Sequence, residues 1–437
     1  MGVREQDLRK FQQFTGLNNR DKEPLPIGNV LREAVDVDVT KLGKIQSRPG
    51  YTVPLVACTL GHSLWADHEG LFPFALYADE DELHALNPDL TTELLRGNLS
   101  RGLDVSYTRI NDSVFWSNDA ESGMVDAMGE AMPWACEQPS GQPALVAVDG
   151  ALGKGQVQVA ITFADARGRE SGATLAAAID LGPGQGVQLI GIPQPNDQAQ
   201  TPQIRIYVTG GDDRALYHAK NIPAGTTTTT VLTVPEGRLL ATQFLRPMPP
   251  GHIVRYWNGR QLVARGRYVL WSPALRYGLT HIGHMHVGLR NRLTLMEPVE
   301  GDGSGVFVSD GSRVLFMAGA DPAAWAPKPV SAYGARPGSA MRTPASAWGI
   351  ESKQWVPAWL GTDGLFTVGL PGGTVVTFNQ ADFVAGVGDR AASLFREADG
   401  LMQFITTQRG LARPRLGVVD EAIARVYRED GSLEEDA

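Results

Sequence analysis

Three histidines lie close together in the segment THIGHMHVG, at His281, His284 and His286. Imidazole nitrogens are common zinc ligands, and three of them could fill most of a tetrahedral site. On a strand, however, His284 and His286 would share one face and His281 would lie on the other. No cysteine or acidic residue nearby in the sequence completes a site. We therefore favour a polar strand or loop that lines a channel over a metal site.

Four glycine-rich segments resemble ligand-binding loops only in part. DGALGKGQ (149–156) has no Ser or Thr after its lysine, and LGPGQG (181–186) lacks a βαβ context, so neither predicts nucleotide binding. GDGSG (301–305) and SDGSR (309–313) lack the EF-hand spacing, and the second lacks the Thr-Trp ending of a sialidase Asp-box. We expect all four segments to be turns.

The sequence shows no arrangement typical of a known catalytic motif. It has neither a G-x-S-x-G nor an H-E-x-x-H pattern, and Cys58 and Cys136 have no histidine beside them. The acidic run at 79–82 (DEDE) is interpreted as a solvated connection between neighbouring sheets rather than an acid/base site. A glycosidase could still place two carboxylates on separate sheets. We predict no catalytic residue, no cofactor and no metal.

Two other groups of side chains could bind a partner. The arginines could face phosphate or pair with carboxylates of a neighbouring subunit, and we favour the second: Arg255, Arg260, Arg265, Arg267, Arg290, Arg292 and Arg313. The tryptophans could stack on sugars or pack between sheets, and we again favour the second: Trp65, Trp116, Trp257, Trp271, Trp355 and Trp359.

The composition of the chain limits the kinds of fold that could hold these side chains. The chain has 437 residues, 43% apolar and 20% charged, with 50 Gly and 28 Pro spread along it, which favours many turns between short strands. The net charge of −9 argues against a dedicated DNA-binding protein. Two cysteines cannot build a disulfide framework. With no signal-like start and no apolar run long enough for a membrane helix, we expect a soluble chain made in a reducing cytoplasm.

A recurring pattern predicts the main architecture. Each repeat has a strand with Trp or Tyr, a turn of Gly, Asn or Asp, and a second apolar strand. The last four repeats start at residues 253, 293, 353 and 393, so spacings of 40 recur. Such periods are typical of a β-propeller, and a large sandwich of hairpins is the alternative. The predicted hairpin turns are Asn258-Gly259, Asp310-Gly311, Asp363-Gly364 and Asp399-Gly400.

The repeat is interrupted over residues 138–237. QVQVAITFADARG alternates through Val157, Val159, Ile161 and Phe163, and several short strands follow it. About 100 residues of this kind fit an immunoglobulin-like or fibronectin-III-like sandwich. We thus predict an all-β chain, a β-propeller with an inserted immunoglobulin/fibronectin-III-like β-sandwich. Its parts are an arm (1–22) with a short helix, propeller blades (23–137), the sandwich (138–237), further blades (238–412), and a short helix with an acidic tail (413–437).

The opening of the chain contains three short motifs in a fixed order: G-x-N-N, Ala-x-Asp-Val and G-x-Ile-x-x-R-x-G-Y. Their residues are Gly16, Asn18, Asn19, Ala34, Val35, Asp36, Val37, Gly43, Ile45, Arg48, Gly50 and Tyr51. This order resembles the opening of tailed-bacteriophage structural proteins, which commonly begin with G-x-N-N, then an Ala-x-(Asn/Asp)-Val strand and a G-x-(Ile/Leu)-x-x-R-x-G-Y turn. Further segments similar to that group are 110–119, 161–174 with 203–211, and 257–278 continuing to 305–322.

This resemblance implies a structural role. Members of the group include ring-forming nozzle, hub and stabilisation proteins of short-tailed phages, many of them with a β-propeller, through which DNA passes. We therefore expect a non-enzymatic virion tail protein, assembled in the host cytoplasm as a ring of six or twelve copies. Its partners would be itself, portal, adaptor or other tail proteins, and DNA in passage, with no membrane insertion. The alternative is a carbohydrate-binding or carbohydrate-cleaving propeller at the tail tip.

Overall fold

The chain folds almost entirely into short antiparallel strands. A computed structural model describes residues 16–18, 30–31, 37–39, 44–47, 58–352, 354–378, 384–386, 388–398 and 401–409. Within these ranges there is no α-helix, and the helical residues form three short 3-10 helices, Pro322–Ala324, Ala345–Trp348 and Pro371–Gly373. The prediction of an all-β chain is therefore confirmed.

The chain divides into two compact units. The larger unit holds Tyr51–Asp310 and Leu315–Lys328, and the smaller holds Met1–Gly50, Gly311–Val314 and Pro329–Ala437. The first strands of the smaller unit form a short parallel pair, β1 (Gly16–Leu17) with β2 (Val30–Leu31), and an antiparallel pair, β3 (Val37–Val39) with β4 (Ile45–Ser47).

Two four-stranded sheets open the larger unit. Sheet I contains β5 (Gly61–Trp65), β6 (Ala75–Asp79), β7 (Glu82–Leu86) and β8 (Thr92–Arg96). Sheet II contains β9 (Ser106–Ile110), β10 (Ser113–Ser117), β11 (Ser122–Asp126) and β12 (Ala131–Met132). In both sheets each strand pairs with the next one along the chain, so each is an antiparallel meander.

Seven strands then form a two-sheet body, which is the name used below for β13–β19. The strands are β13 (Ala144–Asp149), β14 (Gly155–Ala164), β15 (Ala177–Leu181), β16 (Gln185–Ile190), β17 (Gln203–Val208), β18 (Tyr217–Pro223) and β19 (Thr228–Val231). One sheet has the order β13-β16-β19 and the other β15-β14-β17-β18. The predicted alternation is confirmed, because Val157, Val159, Ile161 and Phe163 all point into the core shared by the two sheets.

The meander pattern then resumes in the larger unit. A short pair joins β20 (Arg246–Pro247) to β24 (Leu279–Thr280). Sheet III contains β21 (Ile253–Trp257), β22 (Arg260–Arg265), β23 (Tyr268–Trp271) and β25 (His286–Gly288). Sheet IV begins with β26 (Leu295–Val299), β27 (Gly305–Ser309) and β28 (Val314–Ala318).

The remaining strands complete the chain. After β29 (Lys328–Ser331), sheet V of the smaller unit contains β30 (Met341–Pro344), β31 (Trp355–Leu360), β32 (Phe366–Leu370) and β33 (Thr374–Phe378) in meander order. A hairpin of two nine-residue strands follows, β34 (Arg390–Ala398) and β35 (Leu401–Arg409).

Turn chemistry fixes the strand registers. Asn258 and Gly259 join β21 to β22 with φ of 47° and 70°, the left-handed values that a two-residue hairpin turn requires. Asn111 has φ 56° in the turn between β9 and β10. These residues tolerate the left-handed region, so the predicted turn at Asn258-Gly259 is confirmed. The turn at Asp363-Gly364 lies between β31 and β32, also as predicted.

Neighbouring sheets of the larger unit pack face to face. Leu76 and Leu83 of sheet I meet Trp116 of sheet II in one buried cluster. Phe115 of sheet II packs in a second cluster with Val263 of sheet III. A third cluster joins sheet III to sheet IV. Strand β10 therefore alternates its side chains between sheets I and III, which explains why it is buried on both faces.

Polar bonds also join the sheets at their first strands. The Val254 N–H donates to Ser106 Oγ at 3.1 Å, and the Tyr256 N–H donates to Thr108 Oγ1 at 3.0 Å. Strand β21 of sheet III thus lies beside β9 of sheet II, although the two-sheet body separates them in the sequence. Hydroxyl groups at alternate positions of β9 satisfy backbone donors that would otherwise lie at a sheet edge.

Several sequence predictions fall outside the described residues. They are the helix of the arm within 1–15, the strand residues Val35 and Asp36, the turn at 48–51, the turn Asp399-Gly400, and the helix and tail at 413–437. One interpretation is wrong. The acidic run 79–82 does not connect two sheets but forms the turn between β6 and β7 within sheet I.

Candidate functional site

The histidine segment is a turn followed by a short strand. The N–H groups of His284 and Met285 both donate to the His281 carbonyl, at 2.9 and 2.7 Å. The His281 and His284 rings therefore lie together, with centroids 4.4 Å apart, while His286 starts β25 and contacts Tyr268. The strand begins only at His286, so the condition under which His284 and His286 would share a strand face is not met.

No metal centre is formed by the part of the chain that the structure describes. There, no three histidine, cysteine or acidic side chains come close enough to hold an ion. The glycine-rich segments behave as turns: 181–186 spans the β15–β16 connection, and 301–304 joins β26 to β27. Segment 149–156 connects β13 to β14.

Neither thiol has the environment of an activated nucleophile. Burial raises the pKa of the Cys136 thiol to about 11, with Asp165 nearby acting in the same direction. Burial also raises the pKa of Cys58, and the Asp79 carboxylate adds to the effect. Reactive cysteines need a lowered thiol pKa, so both side chains are suited to packing rather than to nucleophilic attack.

One extensively bonded carboxylate, Glu170, was not singled out from the sequence. Its Oε1 accepts from Thr162 Oγ1 and Tyr207 OH, both at 2.6 Å, and its Oε2 accepts from Arg238 at 3.0 Å. The Arg205 guanidinium forms an ion pair with Oε2 at 3.1 Å. Burial, followed by the bond to Glu170, raises the pKa of Tyr207 to about 12. Through these contacts Glu170 ties the loop after β14 to β17.

The tryptophans pack inside the protein, as favoured from the sequence. Trp116, Trp257, Trp271 and Trp359 are buried. Trp65 is half-buried against Phe72 and Tyr107, and Trp355 is half-buried at an edge-on contact with Phe395. Sugar stacking needs an exposed ring face, so the buried four cannot serve as a carbohydrate platform.

The predicted arginine group divides by environment. Arg255 extends from β21 to Glu297 of β26, with Nη2 2.5 Å and Nε 2.9 Å from Oε1. The Arg255 Nη1 group also donates to Ser106 Oγ of β9 at 3.0 Å. One side chain thus joins sheets II, III and IV, and the Glu297 side chain is only 3% exposed.

Two further arginines of the group pair within the chain. Arg292 lies 2.5 Å from Asp119, and Arg260 lies 3.9 Å from Asp321. Arg313 lines a small cavity of about 380 Å³ in the smaller unit, together with Ser312 and 329–332. The prediction that carboxylates of a neighbouring subunit pair with these arginines therefore does not apply to Arg255, Arg260 and Arg292, whose partners belong to their own chain.

Three arginines remain at the surface of sheet III. Arg265, Arg267 and Arg290 are exposed and form no ion pair with a carboxylate in the described ranges. We call Arg265, Arg267, Tyr268 and Arg290 the arginine patch. A cluster of exposed guanidinium groups beside an aromatic ring is a typical recognition surface for anionic partners.

The larger unit also has a cavity of about 750 Å³. It lies between the two-sheet body and the histidine turn. Leu175, Phe244 and Ile282 are exposed in its lining, and Gln142 and His281 provide polar groups. Apolar walls with a few polar groups fit a small amphipathic ligand or an apolar side chain of a partner.

Comparison with known proteins provides no family. No family model matches the chain, and no curated protein matches it either. Among solved structures, the extracellular domain of a protein described as a one component system from B. thetaiotaomicron has 9% identity and a TM-score of 0.22, covering 91% of this chain and 67% of that one. BBS1N in complex with ARL6DN has 12% identity and a TM-score of 0.17, covering 77% and 98%. Likeness at this level carries no argument about fold or function.

One further finding concerns membranes. Among the residues that the structure describes, no helix has the length and apolar character needed to cross a bilayer.

Proposed function

We propose that sheets I to V are blades of a β-propeller and that the two-sheet body is an inserted immunoglobulin-like or fibronectin-III-like sandwich. Three features support this proposal. The sheets are meanders of four strands, neighbouring sheets of the larger unit pack face to face, and the first strands β9, β21 and β26 are neighbours. Blades arranged around a centre place their first strands in this way.

We further propose that the chain is a non-enzymatic structural component of a bacteriophage virion tail. It would form a ring as a nozzle, hub or head–tail stabilisation protein through which DNA is ejected. The observation that carries this proposal is the use of buried charge at the sheet boundaries. Arg255 and Glu297 link three sheets through hydrogen bonds and an ion pair, and an adaptor between other proteins requires sheets that keep their relative positions.

The segments that resemble tail proteins are consistent with this role. Segment 110–119 forms the turn and strand β10 at the boundary between sheets I and II, and 257–278 forms β22 and β23 with their turns. Segments 161–174 and 203–211 belong to the two-sheet body. The resemblance therefore involves elements that hold sheets together, as expected of a structural protein.

Quantitative peptide mass spectrometry of gradient-purified virions tests the role. We expect this chain at a fixed low copy number, six or twelve relative to the portal ring. A protein of the host cytoplasm would be absent from virions that have been freed of cell debris. Absence from intact virions would refute the structural role.

Electron cryomicroscopy of the purified full-length chain tests the architecture and the ring. We expect closed rings of six or twelve copies, with each copy showing a propeller and a separate sandwich. A hairpin sandwich in place of the propeller would refute the fold proposal and leave the virion measurement to decide the role.

A further inference from the structure

The arginine patch is held in place by the ladder of sheet III. Arg265 pairs with Tyr268 across the turn between β22 and β23, and Tyr268 pairs with Gly288 of β25. The Leu289 N–H donates to the Arg267 carbonyl at 2.8 Å, which places Arg290 one residue beyond that bond. Arg290 comes later in the sequence and thus lies at the same end of the sheet as Arg265 and Arg267.

Tyr268 provides the centre of this patch. The Arg267 guanidinium carbon lies 5.1 Å from the ring centroid, and its Nη2 donates to Tyr268 OH at 3.2 Å. Gly288 leaves room for the ring, because a Cβ there would lie 3.0 Å from Tyr268 Cε1. The His286 ring meets the tyrosine edge-on with centroids 5.7 Å apart. Contacts of this kind restrict the rotamers of a guanidinium, which reduces the entropy lost on binding.

The sequence itself contains an anionic segment. Residues 428–437 read REDGSLEEDA, with carboxylates at Glu429, Asp430, Glu434, Glu435 and Asp436. The planar guanidinium binds a carboxylate through two parallel hydrogen bonds. A chain with net charge −9 repels a long polyanion, whereas a short acidic segment concentrates its charge at the patch.

We propose that the arginine patch binds the acidic segment 429–436 of a second copy of this chain. The inference deepens the proposed function, since it rests on the ring-forming part of that proposal. Patch and segment are different surfaces, so the contact is heterologous, and heterologous contacts generate rings when the rotation between copies closes. This contact would use the arginines that have no carboxylate partner in the described part of their own chain.

A charge-exchange experiment tests the contact. The first variant reverses the patch (R265E, R267E, R290E), and the second reverses the segment (E429K, D430K, E434K, E435K, D436K). Each variant alone brings like charges together, so we expect its association constant to fall about tenfold or more. In an equal mixture, each patch meets a segment of opposite charge on the other variant, and assembly should return. Restoration in the mixture requires contact between copies.

Matched controls separate this effect from net charge. The variant K154E/R214E/K328E changes the charge by the same amount at exposed positions outside the patch, and we expect its assembly to be unchanged. A neutral variant, R265Q/R267Q/R290Q, should show an intermediate loss. Far-ultraviolet circular dichroism verifies folding of each variant, which the exposure of the three arginines favours. Sedimentation velocity at low and at about 1 M salt measures assembly, which salt should weaken.

A labelled peptide of residues 428–437 distinguishes the two proposals. If the wild-type chain is monomeric yet its patch binds the peptide, and the patch reversal abolishes that binding, the contact stands and the ring fails. If rings form and neither reversal affects them or the peptide, the ring stands and this inference is overturned. A patch reversal that abolishes binding of double-stranded DNA while leaving peptide binding intact would also overturn it, in favour of a nucleic-acid surface.

Discussion

Replacement of Arg255 by methionine should be among the most destabilising single changes in the larger unit. The substitution keeps much of the side-chain volume and removes both bonds to Glu297 and the bond to Ser106. It leaves a carboxylate that is 3% exposed without its cation. Loss of one partner from a buried ion pair costs about 3–5 kcal/mol, and we expect the free energy of unfolding to fall by that amount.

Two further variants separate the lost charge pair from lost packing. Glu297→Gln keeps an oxygen that can accept from Arg255, whose side chain is 24% exposed, so we expect a smaller loss of about 1–3 kcal/mol. The double variant R255M/E297L removes both charges and should recover most of the loss caused by R255M. Recovery is expected because a buried pair replaced by apolar groups is often close to neutral in stability.

Guanidinium unfolding followed by tryptophan fluorescence measures these changes, since Trp257 is buried in the cluster between sheets III and IV. Arg260→Met is the matched control. Arg260 lies 3.9 Å from Asp321, whose side chain is 65% exposed, so its loss should cost less than about 1 kcal/mol. Two results would contradict this reasoning: R255M no more destabilising than R260M, or the double variant no more stable than R255M. Either would mean that the ion pair between Arg255 and Glu297 is not shielded from water.

Three other predictions follow from local structure. Burial acts to raise the pKa of Asp79, but N–H bonds from Leu60 and Thr59 outweigh it and lower that pKa. The stabilisation by Asp79 is therefore fully present above the unfolded pKa of about 3.9. The free energy of unfolding of wild type and of Asp79→Asn is measured at decreasing pH. The advantage of the wild type should disappear as the pH falls through the folded pKa of Asp79. Gly123→Val should lower the melting temperature measured by calorimetry, because a Cβ at Gly123 would lie 2.7 Å from the Trp116 ring, whereas an unchanged melting temperature would mean that the ring moves aside. Cys136, with a pKa of about 11, should react with iodoacetamide only on unfolding, and rapid labelling of the native chain at pH 8 would contradict its burial.

Local features of the fold were predictable from the sequence because local chemistry determines them. The alternation from Val157 to Phe163 reports which face of β14 is buried, and Asn258-Gly259 satisfies a turn geometry that few residue pairs adopt. The position of the acidic turn at Glu80 was missed, since φ of 52° at a glutamate gives no sequence signal.

The candidate site depends on contacts that sequence spacing does not encode. Arg255 and Glu297 are 42 residues apart, and Arg292 reaches Asp119 over 173 residues. The arginine group therefore looks uniform in the sequence, although three of its seven members pair with carboxylates of the same chain. The exposed arginines do have a sequence signal. In the segment Arg265-Gly266-Arg267-Tyr268, a tight turn brings two cations beside an aromatic ring.

The chain enters and leaves the two-sheet body at adjacent points. The Trp134 indole N–H donates to the Met248 carbonyl at 3.1 Å, across 114 residues of chain. In folding terms, sheets II and III can meet only after this long loop closes, and each doubling of a flexible loop costs about 0.6 kcal/mol of closure entropy. A body that folds first shortens the effective loop to the distance between its own ends. Early folding of the body should therefore accelerate assembly of the sheets on either side, and a linker of a few residues in its place should leave their register intact.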